Sequence, residues 1–471
     1  MIRAGFSCAL PALVLAVAPL AWAGEDEDLN LIPQEIEQAA EPANPPPTVP
    51  ASAVPSSRLD KKLFLEDAYT QASPLRDGPV PFPAPVYHWQ NRSSVDLYLQ
   101  WRPWRPLTLA LSDRFNVLEQ EHVDFLSRQT PRNDFREGYL TWEFAASAFL
   151  EAGRINLRNG AALGFNPTDF FKTRTLVGQA SSDPSSVRQN RLGTLMVRGQ
   201  KIWNRGSASL AYAPKLFQPS AIMRTSQYGV DPRLDATNAA HRVLATASLD
   251  IGGWSPQVLG IFERRRSKIG FNITRPLGDA VVAYAEWAGG LEANLISRSY
   301  AYGQATRTLP PEVPLIMPTD TSTAFRSDLA AGASWTIARK VTLNLEYHFH
   351  QAGFTRQDWQ NWFCLGALPG AASQLWYLRG YANEQQEPVN RRQIFARVAW
   401  PRAMTSKLEI SAFAFVNPSD GSTFAQAIAS YYLSDAWTCA LYGSINAGTA
   451  HSERGSLPQL GSVVLQLVRY L

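Results

Sequence analysis

The sequence has few cysteines, a small net charge and no long apolar run beyond its first 23 residues. Of its three cysteines, Cys8 lies in the first 23 residues, which leaves Cys364 and Cys439 for the rest of a 471-residue chain. A disulfide-built scaffold is therefore excluded. The formal net charge is +4, or +3 without Arg3 (43 basic minus 40 acidic residues), which favours neither nucleic acid nor a strongly anionic partner. After residue 23 no apolar run approaches the roughly 20 residues of a spanning helix.

Residues 1–23 have the pattern of a secretory signal peptide. A single positive charge at Arg3 precedes the apolar stretch ALPALVLAVAPLA, and the small-x-small step AWA stands directly before Gly24. Cys8 lies before the apolar stretch rather than at its end, which argues against a lipoprotein. The sequence predicts export through the inner membrane and a mature chain that begins near Gly24.

Residues 24–91 differ in composition from everything that follows. The acidic start GEDEDL leads into EPANPPPTVPASAVPSS, where Pro, Ala and Ser dominate and no core can be built. We interpret this segment as a periplasmic acidic and Pro-rich extension that is mainly a solvated linker. A docking site for a periplasmic partner or the cell wall is the alternative. The first strand is expected inside it, somewhere in about 62 to 91.

From Ser94 onward the apolar pattern has a period of two. In VDLYLQW, Val95, Leu97, Leu99 and Trp101 share one face, and the pattern recurs in 16 further stretches of about ten residues. Ten residues is the length that a tilted strand needs to cross a hydrocarbon core. A water-soluble sandwich also alternates, so the alternation leaves both an exported soluble β protein and a membrane barrel open.

Two observations favour the barrel. The chain has 14 Trp and 16 Tyr, and many of the tryptophans fall near predicted strand ends, as in an interfacial girdle. Short and long connections also alternate, which is typical of outer-membrane barrels with short turns on one side and long loops on the other. We therefore predict an all-β, transmembrane antiparallel β-barrel over residues 92–471. An even strand number is expected, with 18 strands preferred and 16 as the alternative.

The stretches LSDRFN at 111–116, GRINLRNGAALGFNPTDFF at 153–171 and RLGTLMVRGQKIW at 191–203 resemble Gram-negative outer-membrane porin-like barrels, a group that includes the alginate-export type. The resemblance spans about 94 to 471, and its motifs are architectural. It implies an outer-membrane channel or porin that passes polar or anionic small solutes. Export of a polysaccharide is the first alternative. The implied partners are outer-membrane lipids, lipopolysaccharide and the transported solute, with no cofactor and no catalytic residues.

The glycine-rich segment 153–171 contains the most specific local signals. No βαβ unit surrounds its glycines, so a dinucleotide site is not indicated. Asn166 followed by Pro167 predicts a short helix over 167–172, with Asn166 as its N-cap. Gly160 and Gly164 permit positive φ and close approach to the barrel wall. Two placements stay open for the loop 158–190: folded into the lumen as a constriction, or packed on the rim.

A constriction would bring Asp169, Lys172 and Arg174 opposite wall arginines, as a charged eyelet that sorts solutes. Strand parity adds further side chains to the interior, and arginine exceeds acid among them, which predicts a mild preference for anionic solutes. The candidate constriction and lumen residues are Arg154, Asn156, Arg158, Asp169, Lys172, Arg174, Arg198, Glu346, His348, His350 and Arg397.

Glu346, His348 and His350 alternate along one strand face, where a metal ion or an acid–base pair is conceivable. Simple lining of the lumen is the preferred interpretation, and no metal is predicted. A barrel hydrolase built on one of these histidines is a second alternative. No Gly-x-Ser-x-Gly nucleophile elbow is present in the sequence, so we predict that the protein is not an enzyme.

Overall fold

The computed structural model describes residues 58–72, 76–121, 131–222, 231–264, 266–337 and 340–471. The predicted signal peptide and the acidic and Pro-rich part of the predicted extension lie outside the described residues.

Eighteen strands form one closed antiparallel sheet, in which each strand pairs with its neighbours in sequence. The sheet closes because β1 pairs with both β2 and β18, where Phe64 lies opposite Tyr470. The predicted barrel and the preferred strand number are confirmed. The strands are β1 Arg58–Ala72, β2 Trp89–Trp104, β3 Leu107–Gln120, β4 Arg132–Ala145, β5 Ala148–Ile155, β6 Thr194–Trp203, β7 Gly206–Ala213, β8 Arg242–Leu249, β9 Gln257–Glu263, β10 Lys268–Leu277, β11 Val281–Glu292, β12 Ala324–Ile337, β13 Val341–His350, β14 Arg392–Trp400, β15 Leu408–Val416, β16 Thr423–Ser434, β17 Trp437–Ala447 and β18 Gly461–Tyr470.

Side chains alternate between a polar interior and an apolar exterior along these strands. On β2, Val95 and Trp101 are exposed on the outside, whereas Asp96 is buried inside. The same parity on β13 puts Leu345 outside and Glu346 inside. Trp142, Trp203 and Trp335 are among the exposed aromatic side chains near the short turns. The outer surface is therefore a wide apolar belt with aromatic residues at its edge.

In the described residues, five helices lie in the connections between strands. They are α1 Pro184–Gln189, α2 Leu234–Thr237, α3 Leu295–Ala305, α4 Arg356–Leu365 and α5 Ala371–Gln385. No helix among the described residues is both long and apolar enough to cross a bilayer. All five belong to the end of the barrel that carries the longer loops.

The largest apolar core of the described residues also belongs to these loops. Residues of α3, α4 and α5, among them Leu295, Trp362 and Leu375, are fully buried in one cluster. Val80, from the connection between β1 and β2, packs into the same cluster, and the indole Nε1 of Trp376 donates to the carbonyl of Pro81 at 2.9 Å. Several of the long connections thus pack together into one cap at the long-loop end rather than forming independent loops.

Candidate functional site

The connection between β5 and β6, residues 156–193, crosses the interior of the barrel, and we call it the inner loop. It starts and ends beside β4, β5 and β6, yet it contacts inward-facing side chains of β11, β13, β14 and β16. In the strand order, β14 is nine places from β5. The inner loop therefore lies within the barrel and reaches the opposite wall.

Glu286 on β11 is the first of two wall carboxylates that bind the inner loop by hydrogen bonds. We call each of these anchoring points a seat. Its Oε1 accepts the backbone N–H of Ala162 at 2.5 Å, and its Oε2 accepts the hydroxyl of Thr168 at 3.2 Å. Glu286 is almost completely buried. A buried carboxylate needs such donors, because burial without them is costly.

Glu346 on β13 provides the second seat. Its two oxygens accept the backbone N–H groups of Leu163 at 2.7 Å and of Gly164 at 2.9 Å. Tyr284 donates to Oε1 at 2.6 Å, and Nε2 of His348 lies 2.8 Å from Oε2. Three consecutive backbone amides, from Ala162 to Gly164, are thus bound by two wall carboxylates.

Two glycines permit this close approach. Gly160 has φ +87, and a Cβ there would collide with the carboxylate of Glu286. At Gly164 a Cβ would lie 2.6 Å from Cγ of Phe395 and 2.7 Å from Cε1 of His348. Both positions need glycine because the wall is in contact with the backbone itself. The predicted close approach is found at both residues, whereas the positive φ is found at Gly160 and not at Gly164.

Asp169 is buried inside the inner loop and pairs with arginines of the same loop. Arg191 contacts both of its oxygens, at 2.9 Å and 2.8 Å, and Nε of Arg188 lies 3.5 Å away. Although burial by itself raises it, these two arginines hold the pKa of Asp169 below its usual range. Asp169 thus pairs with arginines of its own loop and not with the wall arginines that an eyelet would require.

Lys172 and Arg174 are also directed into the protein rather than toward an opening. Nζ of Lys172 donates to the carbonyl of Asn166 at 2.6 Å and lies 4.3 Å from the ring centre of Phe165. Burial lowers the pKa of Lys172 to about 8. Arg174 donates to Tyr302 on α3 at 2.7 Å and to Ser220 at 3.0 Å. The charged eyelet, in which Asp169, Lys172 and Arg174 would lie opposite wall arginines, is therefore not formed; these side chains contact the loops and helices around them instead.

The predicted helix over 167–172 is wrong, and turns occupy this stretch. The side chain of Asn166 donates to the carbonyl of Ala162 instead of capping a helix. The same type of signal, an N-cap followed by proline, occurs at Asp183-Pro184, where helix α1 does form. Tertiary contacts explain why only the second segment is helical: the hydroxyl of Thr168 donates to Glu286, and this contact competes with helix formation after Asn166.

The far end of the inner loop is held at β14 and β16. Nε of Arg397 lies 3.0 Å from Oδ2 of Asp183, and both side chains are nearly buried. Beside them, the backbone N–H of Ser182 donates to Gln426 at 3.0 Å. Asp183 also caps α1 by accepting from the backbone of Ser185 at 2.9 Å.

His348 and His350 have separate carboxylate partners. His348 lies beside Glu346, and Nδ1 of His350 lies 2.7 Å from Oδ1 of Asp328 on β12. No group of three or more potential ligands among the described residues could hold a metal ion. In the described part of the chain, neither histidine has a hydroxyl or thiol partner of the kind that a nucleophile would supply.

Four predicted site residues remain, and only Arg154 and Asn156 among them hold the ends of the inner loop. Arg154 is buried and donates to the carbonyl of Gly193 at 2.9 Å, and Asn156 accepts from Nε of Arg191 at 2.8 Å, so both fix the ends of the inner loop. Arg198 pairs with Glu151 at 3.3 Å. Arg158 is half-buried, and within the described residues no hydrogen bond or ion pair holds its guanidinium.

A charged cluster on β1 to β4 was predicted only in part, since strand parity gave Arg114 as a lumen candidate but not the cluster as a whole. Arg114 on β3 lies 2.8 Å from Glu66 and 3.2 Å from Asp96, and Asp96 also pairs with Arg136 on β4. Parity of the strands points to these side chains individually. Their mutual contacts come from the strand register, which the sequence alone does not give.

A closed antiparallel barrel crossed by an inward-folded loop defines the class of structure. The chain is similar in fold to a BenF-like porin from Pseudomonas fluorescens Pf-5, with TM-score 0.52 and 9% identity over 88% of this chain and 98% of that chain. It is also similar to OccK5 (OpdH) of Pseudomonas aeruginosa, with TM-score 0.50 and 8% identity over 88% of this chain and 98% of that chain. At the level of sequence, no family model and no curated relative matches.

Proposed function

We propose that this protein is an outer-membrane channel that passes small polar solutes, with a preference for anions, through a pore narrowed by the inner loop. The single observation that carries the proposal is the seating of Ala162, Leu163 and Gly164 on Glu286 and Glu346 across the barrel. A loop fixed in this way limits the size of what passes and brings its own side chains to the path.

The balance of free charge supports the preference for anions. Three interior acids have their contacts within the protein: Glu286 and Glu346 accept hydrogen bonds from the inner loop, and Asp96 pairs with Arg114 and Arg136. By contrast, Arg158 and Arg92 have no hydrogen bond or ion pair within the described residues. Unpaired guanidinium groups attract carboxylates and phosphates and bind them with paired donors.

The outer surface supports a place in a lipid bilayer. Large apolar side chains such as Leu210, Val258, Ile269, Leu345 and Leu465 are each more than half exposed on the outside of the barrel. An apolar belt of this extent needs a nonpolar solvent. Together with the predicted export signal, it supports a place in the outer membrane of a Gram-negative bacterium, with its lipids and lipopolysaccharide as partners. A periplasmic partner of the extension stays a proposal.

Small solutes fit the interior better than a polysaccharide does. The inner loop crosses the barrel, and α3, α4 and α5 form a packed apolar cluster at the long-loop end. A polymer in export would have to thread past both. The alginate-export type of function is therefore the weaker alternative.

Conductance of the full-length protein in planar bilayers tests the proposal. We expect steady single-channel conductance and a reversal potential, in a KCl gradient, that indicates anion preference. The control is Arg205→Gln, an exposed arginine in the short turn between β6 and β7, which should leave the reversal potential unchanged. Absence of conductance in protein whose barrel is shown to be folded would overturn the channel function, and cation preference would overturn the charge assignment.

A further inference from the structure

A cleft of about 470 Å³ lies outside the barrel interior, at the long-loop end. One wall is a stripe of α4, formed by Arg356, Gln360, Phe363 and Cys364 with Trp359 behind them. The opposite wall is built by the connection between β15 and β16 and by the connection between β17 and β18. That wall contributes Ser419, Asp420 and His451.

The floor of the cleft is aromatic. Phe363 stacks on Trp359 with ring centres 5.8 Å apart and an interplanar angle of 28°. The ring of His451 lies 5.3 Å from that of Phe363. Phe363 is only partly buried, although Trp359 and Trp362 beside it on α4 belong to the packed cap. A flat, half-open aromatic surface of this kind suits the apolar face of a ring-shaped ligand.

The rim of the cleft is polar and carries charges of both signs. Arg356 and Gln360 are exposed on α4, and Ser419 and Asp420 are exposed on the facing wall. Asp420 is fixed in place, because its two oxygens accept the backbone N–H groups of Ser422 and Glu453, each at 2.8 Å. A carboxylate opposite a guanidinium provides both hydrogen-bond acceptors and donors. This combination suits a ligand with several hydroxyl groups better than it suits a ligand with one net charge.

From this geometry we propose that the cleft binds a carbohydrate, with one neutral pyranose ring stacked on Phe363 and its hydroxyls hydrogen-bonded to Gln360 and Asp420. The volume is within the range of small-molecule sites and accommodates one or two sugar rings. The site is separate from the inner loop and does not depend on whether the barrel conducts ions.

The experiment is direct binding to the detergent-purified full chain. Methyl glucoside, maltose and benzoate are titrated by calorimetry against the wild type and three variants, Phe363→Ala, Gln360→Ala and His451→Ala. The matched control is Gln357→Ala, which is exposed on the same helix but does not line the cleft. We expect a sugar to bind, with affinity about tenfold weaker in Phe363→Ala and unchanged in Gln357→Ala.

Cys364 offers an independent readout because its thiol is exposed in the cleft. In a Cys439→Ser background, the sugar should slow the reaction of Cys364 with a thiol reagent. Because Gln360 and His451 are exposed, their variants keep the test valid even if Phe363→Ala does not fold. Lack of sugar binding at 10 mM, or equal binding by every cleft variant, would overturn the site. Binding of benzoate in place of sugar would overturn the ligand class.

Discussion

Asp183 and Arg397 meet at 3.0 Å, and this pair joins the tip of the inner loop to β14 on the far side of the barrel from β5. Both side chains are nearly buried. The loss of one partner would therefore leave the other charge buried and uncompensated, which is more costly than the loss of a surface ion pair. It fixes the end of the loop that the two glutamate seats do not reach.

Release of this pair should loosen the inner loop. Asp183→Asn keeps an N-cap for α1, because Asn is as good a cap as Asp, but it removes the charge that faces Arg397. We expect larger and noisier single-channel conductance in bilayers, and the same change in Arg397→Gln. The double variant should add little to either single variant. Asp279→Asn, in the exposed turn between β10 and β11, is the control, and equal conductance in all four proteins would contradict the role of the pair.

Removal of the free guanidinium in the inner loop should reduce selectivity. Arg158 has no hydrogen bond or ion pair among the described residues, although its charge acts on Glu137 of β4, so Arg158→Gln removes charge without breaking a hydrogen bond or salt bridge. We expect the anion-to-cation permeability ratio to fall about two- to fivefold at low salt and less at 1 M salt, where charges are screened. Reversal potentials measure it. A change of the same size in Arg205→Gln would show that net charge, and not position, is responsible.

Loss of the buried carboxylate at the centre of the inner loop should be more damaging. Asp169→Asn leaves Arg191 and Arg188 without their common partner, which should destabilise the folded loop by about 2–4 kcal/mol. The loop should then open often enough for trypsin to cut after Arg188 and Arg191. Timed proteolysis followed by mass spectrometry measures this, with Asp279→Asn again as control. Cleavage no faster than in the wild type would argue against Asp169 as the anchor.

The sequence predicted the barrel well because each strand contains its own evidence. Alternation along VDLYLQW places Val95 outside and Asp96 inside whatever the neighbouring strands do. Even β1, which has a weaker pattern, was expected from the need for an outgoing strand before β2. It begins at Arg58, a few residues before the predicted window.

The loops were predicted less well because their structure depends on distant residues. A search for the two-residue period of strands does not detect Trp359 and Trp362, because their spacing is that of a helix. Both pack in the cap. The residues that hold Asp169 were missed for the same reason: Arg188 and Arg191 are 19 and 22 positions away in sequence. The glycines were a better guide, since Gly160 and Gly164 indicate close contact whatever the contacting residue is.

A side chain at position 164 should displace the inner loop from its hydrogen bonds to Glu346, the second seat. A Cβ there would meet Phe395 and His348, and neither ring has open space to move into, since both are buried. We expect Gly164→Ala to lengthen the contacts to Glu346 and to raise conductance fluctuations, as Asp183→Asn does. Gly199→Ala on β6 is the matched control, because nothing lies within 4 Å of its Cβ position. Identical current records for the two variants would contradict a tight seat at Gly164.

Lys172 should make the stability of the protein rise with pH in the alkaline range. Burial lowers its pKa to about 8 in the folded protein, against an ordinary value of 10.5. Between these two values the unfolded chain still binds a proton that the folded chain has lost, so raising the pH favours the folded state. The penalty for keeping Lys172 charged in the fold below pH 8 is roughly 3 kcal/mol.

Lys172→Met isolates this effect, since it keeps an unbranched side chain without the amine. Thermal unfolding of both proteins is compared at pH 7.5 and pH 10, so that titration of other groups cancels in the difference. We expect the variant to be the more stable protein at pH 7.5, with the gap narrowing at pH 10. A gap that does not change with pH would mean that the amine is not buried in its charged form, and that the inner loop admits water at Lys172.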